Sequence, residues 1–332
     1  MSAAAELLAD RGEAAAGEEL FRSRPFLEAE GVTHTLRITD GSRELLAPLI
    51  VREIGAGPER DAISPYGYPG VSDIDHTQGG SKSDAFLDPA TIDFVPTGLV
   101  SIFLRHRLDR IPLAGAAERN VVQIADPSLP QKSRGSDRNR INKNLKLGYE
   151  LSVAPGPETS AEQRAGFLTA YEQTMRRTGA AERYFFGAAY FDRILESPSS
   201  WLALAHAPEG DLAAASLAVR SDGYLHYYLS GSTDEHLRDS PMKNVVATLV
   251  ELAAELELPL NLGGGIARGD RLEEFKRGFA NRELAWCTSE IVADPVAYER
   301  LAAGRDHRLK NVSTTLRFAR TRVNGSERNE LT

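Results

Sequence analysis

The sequence predicts an α+β fold, of mixed α/β type, built as two domains. Three observations carry that reading. The chain has 332 residues, enough for two domains of ordinary size that each bury a core. Its C-terminal half runs strand, two helices, three strands, helix, strand, helix, strand, which is neither a doubly wound alternation nor an all-β series. Hydrophobic residues make up 42% and charged residues 26%, the balance of a globular protein.

Composition also removes some function classes. A formal net charge of −8 excludes a generally basic nucleic-acid binder, so any RNA contact has to be a local basic patch. Cys287 is the only cysteine, which rules out an internal disulfide or a cysteine metal cluster. It sits in the alternating run "LAWCTSEIV" and reads as a core residue. No metal-ligand cluster, nucleophile elbow or P-loop is present, so neither a metal nor a covalent enzyme intermediate is expected. The N-terminus lacks the basic and apolar regions of a signal peptide, and no run is long enough to span a membrane. The expectation is a cytoplasmic, monomeric protein without membrane insertion.

Residues 1–30 are Ala/Glu-rich and read as an acidic helical segment. "VTHTLRIT" and "ELLAPLIVREI" flank Asp40-Gly41, a hairpin turn signal. Residues 55–100 are rich in Gly, Ser, Pro and Asp, contain "DAISPYGYPG", and read as one long loop. "GLVSIFLRH" and "NVVQIAD" read as strands, and "DPSLPQKSRGS" as a linker. The first domain is placed at 31–132 and the second at 133–303. Residues 304–332 are expected to pack partly on the first domain and to end in a disordered tail.

In the second half, "YELSVAP" reads as a strand. Ser160 and Gln163 make a capping box before a helix whose apolar residues are Phe167, Leu168, Tyr171 and Met175. A helix near 187–196 follows. "WLALAHA", "LAAASLAVR" and "YLHYYLSGS" form a meander through turns at Glu209-Gly210-Asp211 and Ser221-Asp222-Gly223. Met242, Val245, Val246, Leu249, Leu252, Ala253 and Leu256 mark an amphipathic helix. "LPLNLGG" is a strand, 271–279 a helix with Leu272, Phe275 and Phe279 as its apolar stripe, and "LAWCTSEIVA" a strand.

This order matches the N-acetyltransferase (GNAT) fold. "SPYGYPG" at 64–70, "RNRINKNLKLGYE" at 138–150, "AYEQTMRRTGAAERYFF" at 170–186, "YYLSGS" at 227–232 and "LNLGGG…LEEFKRGF" at 260–279 then resemble the FemAB-like family over residues 30–300. The resemblance implies two GNAT-like domains in tandem, each a mostly antiparallel mixed sheet flanked by helices. It implies transfer of an amino acid from aminoacyl-tRNA to an amine of a peptidoglycan precursor or a peptidyl antibiotic. No heptad-rich insertion is present, so the chain resembles the compact branch that lacks a helical hairpin.

The family places a Phe-Lys pair at the transfer site, here Phe275-Lys276. A fixed cation there would steady the oxyanion of ester aminolysis, worth roughly a few kcal/mol. From periodicity alone, Lys276 reads instead as a lysine snorkelling from a helix border. The triple glycine 263–265 is explained by a tight turn. Ser64, Tyr66 and Tyr68 are acceptor-site candidates, since tyrosines can stack and hydrogen-bond at once, although a Pro/Gly turn alone explains them. Arg105, His106, Arg177, Arg183 and Tyr184 could hold a diphosphate or carboxylate of a nucleotide-linked peptide acceptor, or be surface ion pairs. Arg134, Arg138, Arg140 and Lys143 lie in the most basic stretch and could meet tRNA phosphates, or form a solvated helix face. His226, Tyr227 and Tyr228 fall on the strand that lines the GNAT notch, alternation sending His226 and Tyr228 to one face. His226 is a candidate base or a core histidine.

The rival donor is acyl-CoA. GNAT enzymes cradle its pyrophosphate on a Gly-x-Gly/Ala loop opening the central helix. The matching segment, "SGSTDEHLRDSPMKNV", lacks that pattern and carries Asp234, Glu235 and Asp239. No cofactor is therefore expected beyond aminoacyl-tRNA as co-substrate, with acetyl-CoA serving only the rival reading. A non-catalytic binding module is the third reading.

Overall fold

The structure, a computed structural model, describes residues 3–41, 43–75 and 86–303. These residues divide into two compact units, one drawn from 3–119 and 287–303, the other from 120–286. The division lies ahead of the linker expected near 132.

The first unit opens with β1 (Ala4–Leu8) and a short helix α1 (Arg24–Ala29), followed by β2 (His34–Asp40) and β3 (Arg43–Glu53). Strand β1 corrects the expected N-terminal helix. Ala5 is buried while Ala4 and Glu6 are exposed, a period of two that fits antiparallel pairing with β2. Helix propensity is a weak prior, and this pairing overrides it. β2 and β3 form the hairpin expected around Asp40-Gly41.

The region read as one loop contains β4 (Arg60–Ile63) and β5 (Ser72–Asp75), both paired with β3. Their charged residues disguise them. Asp61 accepts two hydrogen bonds of 2.9 Å from Arg52, and Asp73 accepts bonds from both Arg43 and Arg110. Carboxylates bonded in this way can be carried into a sheet. β6 (Ser101–Arg105) runs parallel to β4. Leu36, Ile38, Leu45, Leu49, Ile102 and Leu104 form the centre of this unit's core.

The second unit contains most of β7 (Ala117–Ala125), then α2 (Gly135–Leu147), β8 (Glu150–Pro155), α3 (Ala161–Arg177), α4 (Ala188–Leu195), β9 (Ser200–His206), β10 (Leu212–Ser221), β11 (Tyr224–Ser232), α5 (Met242–Glu255), β12 (Leu260–Gly263) and α6 (Arg271–Arg277). The capping box of Ser160 and Gln163 opens α3 as expected. Sheet order is β7-β12-β11-β10-β9-β8. β7 pairs with β12, Ala125 opposite Leu260 and Ile124 opposite Asn261, which is why the unit begins before the linker. Helix α5 seats Val245, Val246, Leu249 and Ala253 against Ala203, Ala218, Leu225, Leu260 and Leu262. Phe167, Tyr171, Phe186, Tyr190 and Phe191 of the α3–α4 region form an aromatic cluster.

One pairing in this sheet is parallel and very short. β11 meets β12 only at Leu225–Leu260 and His226–Asn261, after which the two strands part. Parallel strands need a crossover connection, and α5 supplies it.

β13 (Arg282–Val292) leaves the second unit at Trp286, and its remainder pairs antiparallel with β6, from Thr288 opposite Arg105 to Val292 opposite Ser101. α7 (Pro295–Ala303) then packs Ala297, Tyr298 and Leu301 on Ile54 and Val100. The second unit thus ends before the expected boundary at 303. Residues 304–332, for which packing and a disordered tail were expected, lie outside the described residues. Among the described residues no helix is long and apolar enough to cross a membrane, and no group of metal-ligating side chains could hold an ion.

Gly231 lets α3 approach β11. A Cβ there would lie 2.4 Å from backbone atoms of Ala170 and Tyr171. Since backbone cannot step aside as a side chain does, Gly231→Ala is expected to lower stability by about 3 kcal/mol, measured by urea denaturation.

Candidate active site at the notch of the second unit

Where β11 and β12 part, the chain turns sharply out of β12. Gly263 has φ +75°, a conformation that residues with a Cβ rarely adopt. A Cβ at Gly264 would lie 2.6 Å from the Asn120 amide nitrogen and 2.7 Å from the Val121 carbonyl. The loop then closes on Asp270, which caps α6. Its carboxylate accepts from the backbone N–H groups of Ile266 at 2.7 Å, Ala267 at 2.9 Å and Glu273 at 2.8 Å. Burial pushes Asp270 up, but these bonds outweigh it and hold the carboxyl below its ordinary value.

Helix α6 is rotated from the face its apolar stripe predicts. Leu272 is exposed, whereas Glu273 and Lys276 are buried. Phe275 and Phe279 do turn inward, with ring centroids 5.6 Å apart, and pack on the core beneath α5. The rotation follows from the polar groups around the helix. Glu273 accepts from the Gly269 N–H at 2.8 Å and pairs with Arg277. Lys276 Nζ donates to the Gly264 carbonyl at 2.7 Å and stands 5.9 Å from the Tyr227 ring centroid. A Cβ on Gly263 would come within 3.1 Å of that nitrogen. Burial pushes the Lys276 ammonium down to about 8, with Asp270 opposing the shift. Lys276 is therefore not a snorkelling side chain.

Beside it on β11, Tyr227 donates or accepts at 2.6 Å with Ser230 Oγ, and burial pushes its phenol up to about 12. The expected alternation fails at the next residue. Leu217 faces Leu229 while Ala218 faces Tyr227, so Tyr228 is an extra residue in a bulge. Its hydroxyl lies 2.7 Å from that of Tyr190. His226 is buried, with Nε2 3.1 Å from the Ser221 carbonyl and Nδ1 3.0 Å from the Asn261 amide nitrogen. Burial lowers its pKa to about 4. Both ring nitrogens are engaged inside the sheet, the pattern of a core histidine.

The structure thus brings Phe275, Lys276, Tyr227 and His226 into one neighbourhood. The acceptor candidates divide between the units. In the first unit, Ser64 accepts from the Arg105 N–H at 3.1 Å and its carbonyl accepts from the Arg105 guanidinium at 2.9 Å. That guanidinium also stands 5.9 Å from the Tyr66 ring centroid. Tyr68 meets Phe21, and buried His106 has Nε2 2.8 Å from Ser289 Oγ and a pKa lowered to about 4 by burial. In the second unit, Arg177 pairs with Asp234, Arg183 lies over the Tyr184 ring at 4.9 Å, and the Tyr184 carbonyl accepts from Tyr171. Of the basic set, Arg138 and Lys143 are exposed on α2, Arg134 lies 3.5 Å from Glu274, and Arg140 lies 3.7 Å from Asp239.

The start of α5 is internally satisfied. The Lys243 N–H donates to the Ser240 carbonyl at 3.0 Å, and the Asn244 N–H to the Pro241 carbonyl at 2.9 Å. Lys243 Nζ is held 2.7 Å from Asp137, and Asp239 accepts from Tyr149 OH at 3.0 Å. Asn261 and Asp270 belong to this neighbourhood and were passed over in the sequence, where Gly264 was read only as part of a tight turn. The available signal was an asparagine inside the apolar strand "LPLNLGG".

The lowered pKa of Lys276 has a stability consequence. Between about 8 and its ordinary 10.5 the unfolded chain keeps a proton that the native protein has lost. The cost of the buried charge is therefore present in full below that window and fades as pH rises through it. Lys276→Met is expected to match or exceed wild-type stability at neutral pH, by up to about 2 kcal/mol, with the difference shrinking by pH 10. Urea denaturation at both pH values measures it.

Residues 131–277 match the family model of an acetyltransferase (GNAT) domain. No curated protein matches the chain by sequence. Among solved structures, FemX is similar at 12% identity, over 80% of this chain and 90% of that one, with a TM-score of 0.55. L-PGS from Bacillus licheniformis is similar at 13% identity, over 86% and 92%, with a TM-score of 0.54. The C-terminal domain of a putative lysylphosphatidylglycerol synthetase from Agrobacterium fabrum is similar at 13% identity, over 90% and 94%, with a TM-score of 0.55. In fold the chain thus resembles FemX, with two GNAT-like domains in tandem, and residues 131–277 match a GNAT domain.

Proposed function

We propose that the protein is an acyltransferase that moves an amino acid from aminoacyl-tRNA to the amine of a peptide acceptor, with Lys276 as the oxyanion donor. One observation carries this reading: a buried ammonium stands where β11 and β12 separate, 2.7 Å from the Gly264 carbonyl. Such a charge is costly to bury and is retained here by a dedicated turn. Only one of its three protons is taken by Gly264, which leaves two to meet an oxyanion.

In the reaction the acceptor amine attacks the ester carbonyl carbon. A C–N bond forms, the carbonyl electrons move onto oxygen, and Lys276 donates to that oxygen. Collapse of the intermediate breaks the C–O bond, and the amine proton passes to the leaving ribose hydroxyl directly or through water. No enzyme base is required, in keeping with the engagement of both His226 nitrogens. Tyr227 flanks the ammonium, and Phe275 packs the helix that carries it. The exposed Arg138 and Lys143 on α2 are offered to the tRNA phosphates, together with Arg134 and Arg140. Ser64, Tyr66, Tyr68, Arg105 and His106, with Arg177, Arg183 and Tyr184, remain the acceptor candidates.

Acyl-CoA is the second reading, favoured by the GNAT-domain match. The start of α5 counts against it. Its Lys243 and Asn244 N–H groups, which would cradle a pyrophosphate, already donate to nearby carbonyls, with Asp137 and Asp239 alongside.

The purified protein is expected to transfer an amino acid from a mixed aminoacyl-tRNA pool to an amine acceptor, and to lose this activity on ribonuclease treatment. Transfer that survives ribonuclease and runs on acetyl-CoA would overturn the donor assignment. Lys276→Met is expected to lower kcat about 10²–10³-fold with little change in KM. The donor must be protonated, so wild-type kcat is expected to fall as pH rises through about 8. A rise through the same range would mean the lysine acts as a base.

A further inference from the structure

At the last rung before β11 and β12 part, His226 stands opposite Asn261, and their side chains are bonded to each other. Both are buried. The direction of every hydrogen bond in this group can be deduced. The Ser221 carbonyl can only accept, so His226 Nε2 carries the proton. In the neutral ring Nδ1 is then the acceptor, so the Asn261 amide nitrogen donates to it. That fixes the amide's orientation and leaves its oxygen facing the Gly263 N–H, which donates to it at 2.8 Å. Gly263 is the residue with positive φ, and the next carbonyl, that of Gly264, receives Lys276 Nζ.

We propose that Asn261, held in one orientation by His226, is a positioning residue that sets the Gly263–Gly264 turn and through it the place of the Lys276 ammonium. The chain of contacts is continuous from Ser221 to Lys276, and each link has one allowed polarity. The same pair closes the apex of the notch, because the next residues, Tyr227 and Leu262, do not pair with each other. This inference rests on the proposed role of Lys276, but its test reads the lysine and not the transfer.

The experiment follows the titration of Lys276 by NMR of reductively ¹³C-methylated protein, with Lys276→Arg used to assign the signal. The groups facing Nζ are Asp270, the Tyr227 ring and the Gly264 carbonyl, and none of them is altered. In Asn261→Ala the turn loses its tie, the ammonium gains water, and its titration is expected to move from about 8 toward the ordinary lysine value of ~10.4. His226→Leu removes the group that orients the amide, and the same shift is expected. His226→Gln can donate to Ser221 and accept from Asn261, and is expected to restore the wild-type titration. A wild-type titration in the folded Asn261→Ala and His226→Leu proteins would overturn the inference, leaving an ordinary buried polar pair. If Asn261→Ala does not fold, the contrast between His226→Leu and His226→Gln decides alone: identical titrations overturn the proposal. Loss of transfer in Lys276→Met bears on function only, so the two readings fail separately.

Discussion

The buried ammonium of Lys276 is the interaction on which the rest of the site depends. A lysine at a helix border normally runs its charge out to water along its own stem. Lys276 does the opposite, and an uncompensated charge in a low-dielectric interior costs several kcal/mol. The surroundings answer that cost in three ways. The Gly264 carbonyl accepts a hydrogen bond at 2.7 Å, the Tyr227 ring lies 5.9 Å away, and the Asp270 charge raises the affinity for the proton. The compensation is incomplete, because the ammonium still titrates near 8. A group kept charged at a residual cost is poised to gain from a new negative charge.

The turn that receives this lysine follows from strand topology. β12 is only four residues long and is paired on both sides, with β11 by two rungs and with β7 by three. Its register with β7 already shifts between Asn261 and Gly263. The strand therefore ends where its backbone must reverse, and glycine at 263 permits the reversal. The same short strand opens the notch, since β11 continues through Ser232 with no parallel partner. One feature, the early end of β12, thus yields both the parting of the strands and the bend that carries the lysine's acceptor.

Much of the second unit could be read from the sequence because its elements have strong local signals. The α5 apolar stripe, the Ser160–Gln163 capping box and the two meander turns all lie where the residues place them. The first unit was harder, for a reason that is physical. β4 and β5 place Asp61 and Asp73 in a sheet, which only the distant Arg52, Arg43 and Arg110 make tolerable. β1 pairs Ala and Glu residues that favour helix. At the site, Lys276 stood out through a family motif, yet its burial did not. The stripe of Leu272, Phe275 and Phe279 points to one face of α6, and the contacts of Glu273 and Lys276 select another. Likewise alternation cannot foresee the bulge at Tyr228, which is a property of the pairing with β10.

The proposed reaction also accounts for a neighbourhood that offers no base of its own. His226 is the residue that invites that role, and the sheet has taken both its nitrogens. Under the proposed reaction this is no handicap. The attacking amine becomes cationic as the C–N bond forms, and the departing alkoxide needs a proton as the C–O bond breaks. The two demands match in number and arise on neighbouring atoms, so the substrates balance themselves. What they cannot supply is a fixed positive charge beside the carbonyl oxygen, which water provides only by reorganising. In the proposed reaction a lysine already desolvated and held by one of its three protons would meet that single need, and the remaining chemistry would belong to the ester.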